Sequence, residues 1–184
     1  FKDPAEAAAI QNCIFDLAIP PSAHHKVLEL IPENSAVILQ KPMGSNLSEA
    51  SNILTLCRQK SLNACVNFQL RFAPMMIALK DIINKGLIGE IVDIDMWAAL
   101  DTPWNLWKFL EDLPRVEILL HSIHYFDAIR FLVGNPHGVH AKTMGHPASK
   151  ISNTRTAAIL DYGEDLRCAV SINHNHNYGR KYQA

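Results

Sequence analysis

No block of basic residues occurs in this 184-residue chain: 17 Lys and Arg stand against 18 Asp and Glu, a formal net charge of −1. Phosphate backbones and anionic lipid attract clustered positive charge, so neither nucleic acid nor a membrane surface is an expected partner. No apolar run reaches the roughly 20 residues that a membrane span needs. The longest charge-free stretches are interrupted by Pro, His or Asn, and the protein reads as soluble. Cysteine is sparse. Cys13, Cys57, Cys65 and Cys168 show no C-x-x-C spacing, which excludes a zinc knuckle or a thioredoxin-like pair and leaves them as small buried hydrophobes. No charged-then-apolar signal segment opens the chain, which points to a reducing, cytoplasmic interior; the first residue is Phe1 rather than Met, which points to residues ahead of it. There is no G-x-S-x-G elbow, no Walker loop, no internal repeat and no low-complexity segment. Hydrolase and NTPase readings therefore lack their main parts.

What is present is a core-forming composition, 48% hydrophobic, enough for one ordinary domain or two small ones. The front of the chain alternates strictly. Pro4 to Ile10 is helix-like, Cys13 to Ile19 strand-like, Ser22 to Leu30 helical, and Ala36 to Leu39 a buried strand. A helix is expected from Asn46, whose spacing to Glu49 is that of a capping box, with Ile53, Leu54 and Cys57 on its apolar face and an end near Lys60. Ala64 to Phe68 makes a third strand. Strand and helix in alternation over residues 1–68 predict half of a doubly wound, parallel-sheet domain.

From residue 69 the pattern changes. Phe72 to Lys85 reads as a helix closed by Gly86, Glu90 to Leu100 as a half-buried strand, and Asp101 to Pro114 as a loop holding Trp104, Trp107 and Phe109. Glu117 to Val133 is the longest helical stretch, stopped by Gly134 and Pro136; its Ile118, Leu119, Ile123, Phe126, Ile129 and Phe131 call for burial. Strands are expected over 138–144, 154–161 and 166–173, the last two joined by a turn at 162–165. Residues 69–184 thus predict a second, α+β domain with an open, mostly antiparallel sheet.

Several places carry chemistry. Pro20 and Pro21 follow an apolar strand, at the sheet edge where open α/β folds bind ligands; the alternative is a stiff turn. Ser22 and His24 stand at the start of the next helix, where free N–H groups favour anions. Gln40, Lys41 and Pro42 end the second strand at the same edge, and a lysine there binds a ligand oxygen or is solvated. Asn67, Gln69 and Arg71 follow the third strand, with Arg71 as an anchor for an acidic or amide group or as part of a linking turn. His121, His124 and Asp127 are spaced three apart on the long helix and so share a face. An imidazole beside a carboxylate there is a general base or an interface hydrogen bond. No metal is expected, since the H-x-x-H spacing lacks H-E-x-x-H and a third ligand. His174 and His176 alternate on the last strand and share a face, lining a cleft or ending the strand.

In order, the segments IPPSAH, QKP, NFQLRFAP, GLIGEI and HYFDAIRFLVG resemble the Gfo/Idh/MocA family of glucose-fructose oxidoreductase and inositol dehydrogenase, from about Cys13 to the end. The resemblance implies the C-terminal part of a Rossmann domain for NAD or NADP, then the substrate and oligomerisation domain. It places Ile19, Pro20, Pro21, Ser22, His24, Gln40, Lys41, Pro42 and Arg71 at the cofactor, and His121, Asp127, Asn67 and Trp104 at the substrate. Lys41 corresponds to the family's E-K-P lysine between nicotinamide and substrate, with Gln40 for the usual Glu. His124 corresponds to the histidine that takes the proton of the substrate hydroxyl.

Leu120 stands where the family's dehydrogenases commonly carry Asp, four residues before that histidine, and removes a carboxylate that would orient the imidazole. No G-x-G-x-x-G turn occurs in the 184 residues, so the sequence reads as part of a longer protein. The expected activity is hydride transfer from a sugar, polyol or cyclitol hydroxyl, in a dimer or tetramer formed through the C-terminal sheet. The alternative is a relative that binds cofactor or sugar without turnover.

Overall fold

The computed structural model describes residues 3–111, 113–147, 149–176, 178 and 181–183 and, within them, all side chains but those of Phe109 and residues 181–183; Phe1 lies outside this set. The chain divides into two compact units, Phe1–Asn67 and Phe68–Ala184.

In the first unit β1 (Ile14–Leu17), β2 (Ala36–Leu39) and β3 (Asn63–Val66) form a parallel sheet in chain order. A short helix α1 (Pro4–Ala8) precedes it, and α2 (His24–Leu30) and α3 (Leu47–Gln59) fill the two crossovers, because parallel neighbours cannot be joined by a tight hairpin. Leu17, Leu28, Ile31, Val37, Leu39, Ile53 and Cys57 make its core, each large side chain contributing roughly 1.5–3 kcal/mol by burial. β1 and β3 are shorter than the 13–19 and 64–68 runs that periodicity predicts. The ladder stops together at Leu17, Leu39 and Val66, since a strand lasts only as long as its partner. Asn46 caps α3, accepting from the Glu49 N–H at 3.0 Å. The Glu49 carboxylate reaches back to the Ser45 N–H at 2.7 Å, one residue earlier than in the usual box.

Cys57 and Cys168 are buried as expected, but Cys13 is half-buried and Cys65 exposed. Period-two alternation on β3 turns Cys65 away from Ala64 and Val66, which pack on the core.

The second unit holds α4 (Pro74–Asn84), β4 (Asp93–Ala99), α5 (Ile123–Val133), β5 (Gly138–Met144), β6 (Arg155–Asp161), β7 (Arg167–Asn173) and β8 (Lys181–Gln183). Its sheet runs β5-β6-β7-β4-β8, with only β4 and β7 parallel among the paired strands described, the mostly antiparallel arrangement read from the sequence. One face carries Ala98, Ala158, Leu160, Cys168, Val170 and Ile172 against Ile129 of α5. The helix expected from Phe72 starts at Pro74, after a 3₁₀ turn over Gln69–Phe72; proline is suited to the first helical position.

The single α-helix expected over 117–133 is interrupted. Ile118–Ser122 is a π-helical turn, with the Ile123 N–H bonded to the Ile118 carbonyl, and α5 follows it. The extra residue resets which side chains face inward. The deepest positions are Val116, Glu117, Ser122, Asp127, Ala128 and Ile129, whereas Ile118, Leu119, Ile123, Phe126 and Phe131 are only partly buried.

Candidate functional site

At the carboxyl edge of the first unit's sheet, three polar side chains form a row: Asp16 within β1, Gln40 just after β2 and Asn67 just after β3. Asn67 Nδ2 donates to Gln40 Oε1 at 3.1 Å, and Gln40 Nε2 donates to Asp16 Oδ1 at 2.9 Å. The amide of Gln40 thus has a fixed orientation, its donor end toward the carboxylate. Lys41 follows it and is joined to Pro42 by a cis bond; it is half-buried and has its ammonium pKa lowered by desolvation. Pro20 and Ser22 are exposed and Ile19 half-buried, while Pro21 and Pro42 are buried supports of their turns.

His24, expected at the cofactor, is turned inward. Its ring is fully buried, with nitrogens 3.4 Å from the Met43 and Leu17 carbonyl oxygens. It ties the loop after β2 to the end of β1. A helix start predicts an exposed position, but the preceding 3₁₀ turn, Pro21–Ala23, carries His24 past the exposed end.

In the second unit, His121 and His124 line one cavity of about 190 Å³ with Gln69, Leu70 and Tyr125. His124 meets the edge of Phe68, ring centroids 6.2 Å apart at 87°. Asp127, expected on the same stripe, is 4% exposed and gripped by Arg71, whose Nε and Nη2 each donate to its carboxylate at 2.6 Å. Asp127 and Arg71 therefore hold each other and join α5 to the turn that carries the cavity's Gln69 and Leu70. Leu120 packs against the small core of Trp104, Leu110, Val116 and Ile151. Trp104, expected at the substrate, is buried in that core and donates to the His174 carbonyl and Asn175 Oδ1 at 3.1 Å each.

Sequence reading passed over Glu117. It has no solvent exposure, and it accepts from Ser122 Oγ at 2.5 Å and from Thr156 Oγ1. Burial pushes its carboxyl up to about 7, against the pull of those hydroxyls. His174 Nε2 lies 3.7 Å from it and His174 Nδ1 is 2.7 Å from Thr102 Oγ1. His174 and His176 do not sit on β7, which ends at Asn173. His174 is buried beside Glu117, while His176 is half-buried and packs against the Tyr178 ring at 5.6 Å. The available signal was a glutamate just ahead of an apolar helix. Charge at a helix start ordinarily means a solvated first turn, so the signal pointed the wrong way.

Among the described residues, no group of three or more His, Cys, Asp or Glu side chains is arranged to hold a metal ion. No helix among them is long and apolar enough to cross a membrane.

A family model described as the GFO/IDH/MocA C-terminal domain matches residues 76–184. The D-apiose dehydrogenase of Rhizobium rhizogenes is 23% identical over 166 residues, covering 86% of this chain and 47% of that protein. The WlbA dehydrogenase of Bordetella pertussis, solved with NADH and UDP-GlcNAcA, gives a TM-score of 0.81 at 18% identity, covering 98% of this chain and 56% of that one. An oxidoreductase of Agrobacterium radiobacter, solved with NAD+, L-tartaric acid and magnesium, gives 0.81 at 23% identity, covering 96% and 53%. At these identities the solved structures establish a shared fold. The chain spans 47%, 35% and 28% of the length of three curated oxidoreductases that it matches, less than half of each.

Proposed function

The chain belongs to the Gfo/Idh/MocA family, whose C-terminal-domain model it matches over residues 76–184, and from that premise we propose that the protein is an NAD(P)-dependent oxidoreductase of a hydroxyl compound such as a sugar, polyol or cyclitol. The observation that carries the reading is the pair of imidazoles, His121 and His124, lining one cavity. An imidazole titrates near neutral pH, so His124 is suited to take the proton of a substrate hydroxyl and return it in the reverse direction.

Lys41 is assigned to the substrate oxygen. Its partial desolvation strengthens a hydrogen bond from the ammonium to an oxygen that gains negative charge. The carboxyl edge around it fits the nicotinamide end of a dinucleotide. Gln40, Asn67 and Asp16 offer amide and carboxylate groups in one hydrogen-bonded row, suited to a carboxamide. A bound nicotinamide supplies a hydride acceptor at its ring carbon; the chain's own residues orient the alcohol and manage its proton. The reading extends to self-association through the exposed sheet face that carries Trp97 and Ile159, and to a cytoplasmic setting.

A second reading, binding without turnover, is favoured by Leu120, which puts an apolar side chain where a carboxylate would orient the base. The deciding experiment is a screen of sugars, polyols and cyclitols with each nicotinamide, following reduced cofactor. Substrate-dependent production that is lost in His124→Ala and Lys41→Ala supports the oxidoreductase. Turnover unchanged in Lys41→Ala overturns the assigned mechanism. Cofactor binding with no turnover of any compound supports the second reading.

A further inference from the structure

Behind the cavity lies a carboxyl group that the assignment above does not use. Glu117 and His174 are 0% and 1% exposed, with Glu117 Oε1 and His174 Nε2 at 3.7 Å, an ion-pair distance rather than a hydrogen bond. A buried carboxylate is strongly unfavourable unless several groups compensate it. Here three elements converge to do so: Ser122 of the π turn donates to Oε1, Thr156 of β6 to Oε2, and the His174 ring follows β7.

The π turn is what makes the first of these contacts. In an α-helix at about 100° per residue, positions five apart point to different sides. In a π turn they stack, and Ser122 lies five residues after Glu117.

His174 is held from its other side as well. Its Nδ1 is 2.7 Å from the Thr102 hydroxyl, and its ring supports His121, centroids 4.2 Å apart and planes 33° from parallel. Trp104 meets His121 edge-on at 5.2 Å and 87°. The place of His121 in the cavity wall therefore depends on where the His174 ring is pinned.

We propose that Glu117 is a positioning residue: facing His174 Nε2, it keeps a proton on that nitrogen, pins the ring between itself and Thr102, and through that ring fixes His121 in the cavity wall beside His124. With Nε2 protonated, Nδ1 of a neutral ring accepts from the Thr102 hydroxyl; in the charged ring it donates to the same oxygen. Either way Nδ1 is hydrogen-bonded to Thr102 and Nε2 faces the carboxylate at 3.7 Å, so the ring cannot turn over without breaking the hydrogen bond.

The test has two arms. The first reads the imidazole nitrogens of the ¹⁵N-labelled protein by NMR and involves no turnover. Nε2 of His174 is expected to carry a proton above about pH 7, where the Glu117 carboxyl is ionised. In the isosteric Glu117→Gln variant, the His174 signals move and those of His121 move with them. A wild-type His174 with Nε2 bare and Nδ1 protonated overturns the proposal, and so does a Glu117→Gln spectrum in which neither ring responds. The wild-type measurement decides by itself should the variant fail to fold.

The second arm rests on the oxidoreductase reading. Glu117→Gln is expected to lower kcat by about tenfold to a hundredfold, the scale of a misplaced group, with KM changed less than about twofold. Unaltered kcat in a folded variant overturns the proposal. If the wild-type protein turns over no substrate, the oxidoreductase reading falls while the nitrogen spectra still decide the role of Glu117.

Discussion

Arg71 and Asp127, 56 residues apart in sequence, form a two-point clamp in which Nε and Nη2 of the guanidinium each donate to one carboxylate oxygen at 2.6 Å. The two partners are unequally buried: Asp127 is 4% exposed and Arg71 36%. That difference sets the outcome of breaking the pair. Arg71→Ala strands a buried carboxylate and is expected to cost about 3–5 kcal/mol. Asp127→Asn leaves a guanidinium that water still reaches and that also lies over the Phe131 ring, and is expected to cost about 1–2 kcal/mol. Arg71→Lys does not restore the clamp, because an ammonium lacks the planar fork. Urea unfolding of the three variants checks the order.

Glu117 makes stability depend on pH. Its folded value of about 7 lies above the ordinary 4.5, so the folded state holds the proton more tightly than the unfolded chain. The contribution is fully present below pH 4.5 and is lost as pH rises through 7. Relative to Glu117→Gln, wild-type stability is expected to fall by about 3 kcal/mol across that window. Denaturant midpoints of both proteins at the two ends of the range test it. A constant difference between them contradicts the assignment.

The row Asp16, Gln40, Asn67 needs an amide in its middle. Gln40→Glu sets a second carboxylate against Asp16, where a 2.9 Å hydrogen bond now lies. At neutral pH the change is expected to cost about 1 kcal/mol. Below about pH 4 the loss shrinks, because one of the two carboxyls takes a proton and becomes a donor again. Thermal unfolding at both pH values reads the difference.

Gly44 has no room for a side chain. A Cβ there would lie 2.8 Å from the Ala50 nitrogen and 2.9 Å from Glu49 Cβ, both parts of α3 that cannot swing aside. Gly44→Ala is expected to destabilise by roughly 1–3 kcal/mol, as overpacking does, and to disturb the neighbouring Lys41 loop. Circular dichroism melts give the loss, and Lys41 amide exchange reports the loop.

Much of the fold was legible because short-range chemistry repeats. The run AVIL with helices on either side marks a parallel strand, and Ala36–Leu39 is that strand to the residue. Asn46 and Glu49 announce α3 by the groups that its free N–H donors need. The alternation on β6 and β7 tells which side is core. For the site, His121 and His124 were legible as neighbours, and they share a cavity. Asp127 was grouped with them by the same spacing, but that spacing says only which way a side chain leaves the helix; Arg71, from a distant turn, decides what it meets.

By itself the sequence determined the alternation of elements, the helix start at Asn46, the inward faces of the strands and the family that these patterns mark, because each depends on residues within a few positions of one another. Only the tertiary structure decided that His24 and Trp104 are supports, that the helix before α5 opens a π turn, and that Glu117 is buried against Ser122, Thr156 and His174. The reason is physical: a polar side chain is buried only where partners from other elements compensate it, and those partners lie as far as 71 residues along the chain, from Trp104 to Asn175.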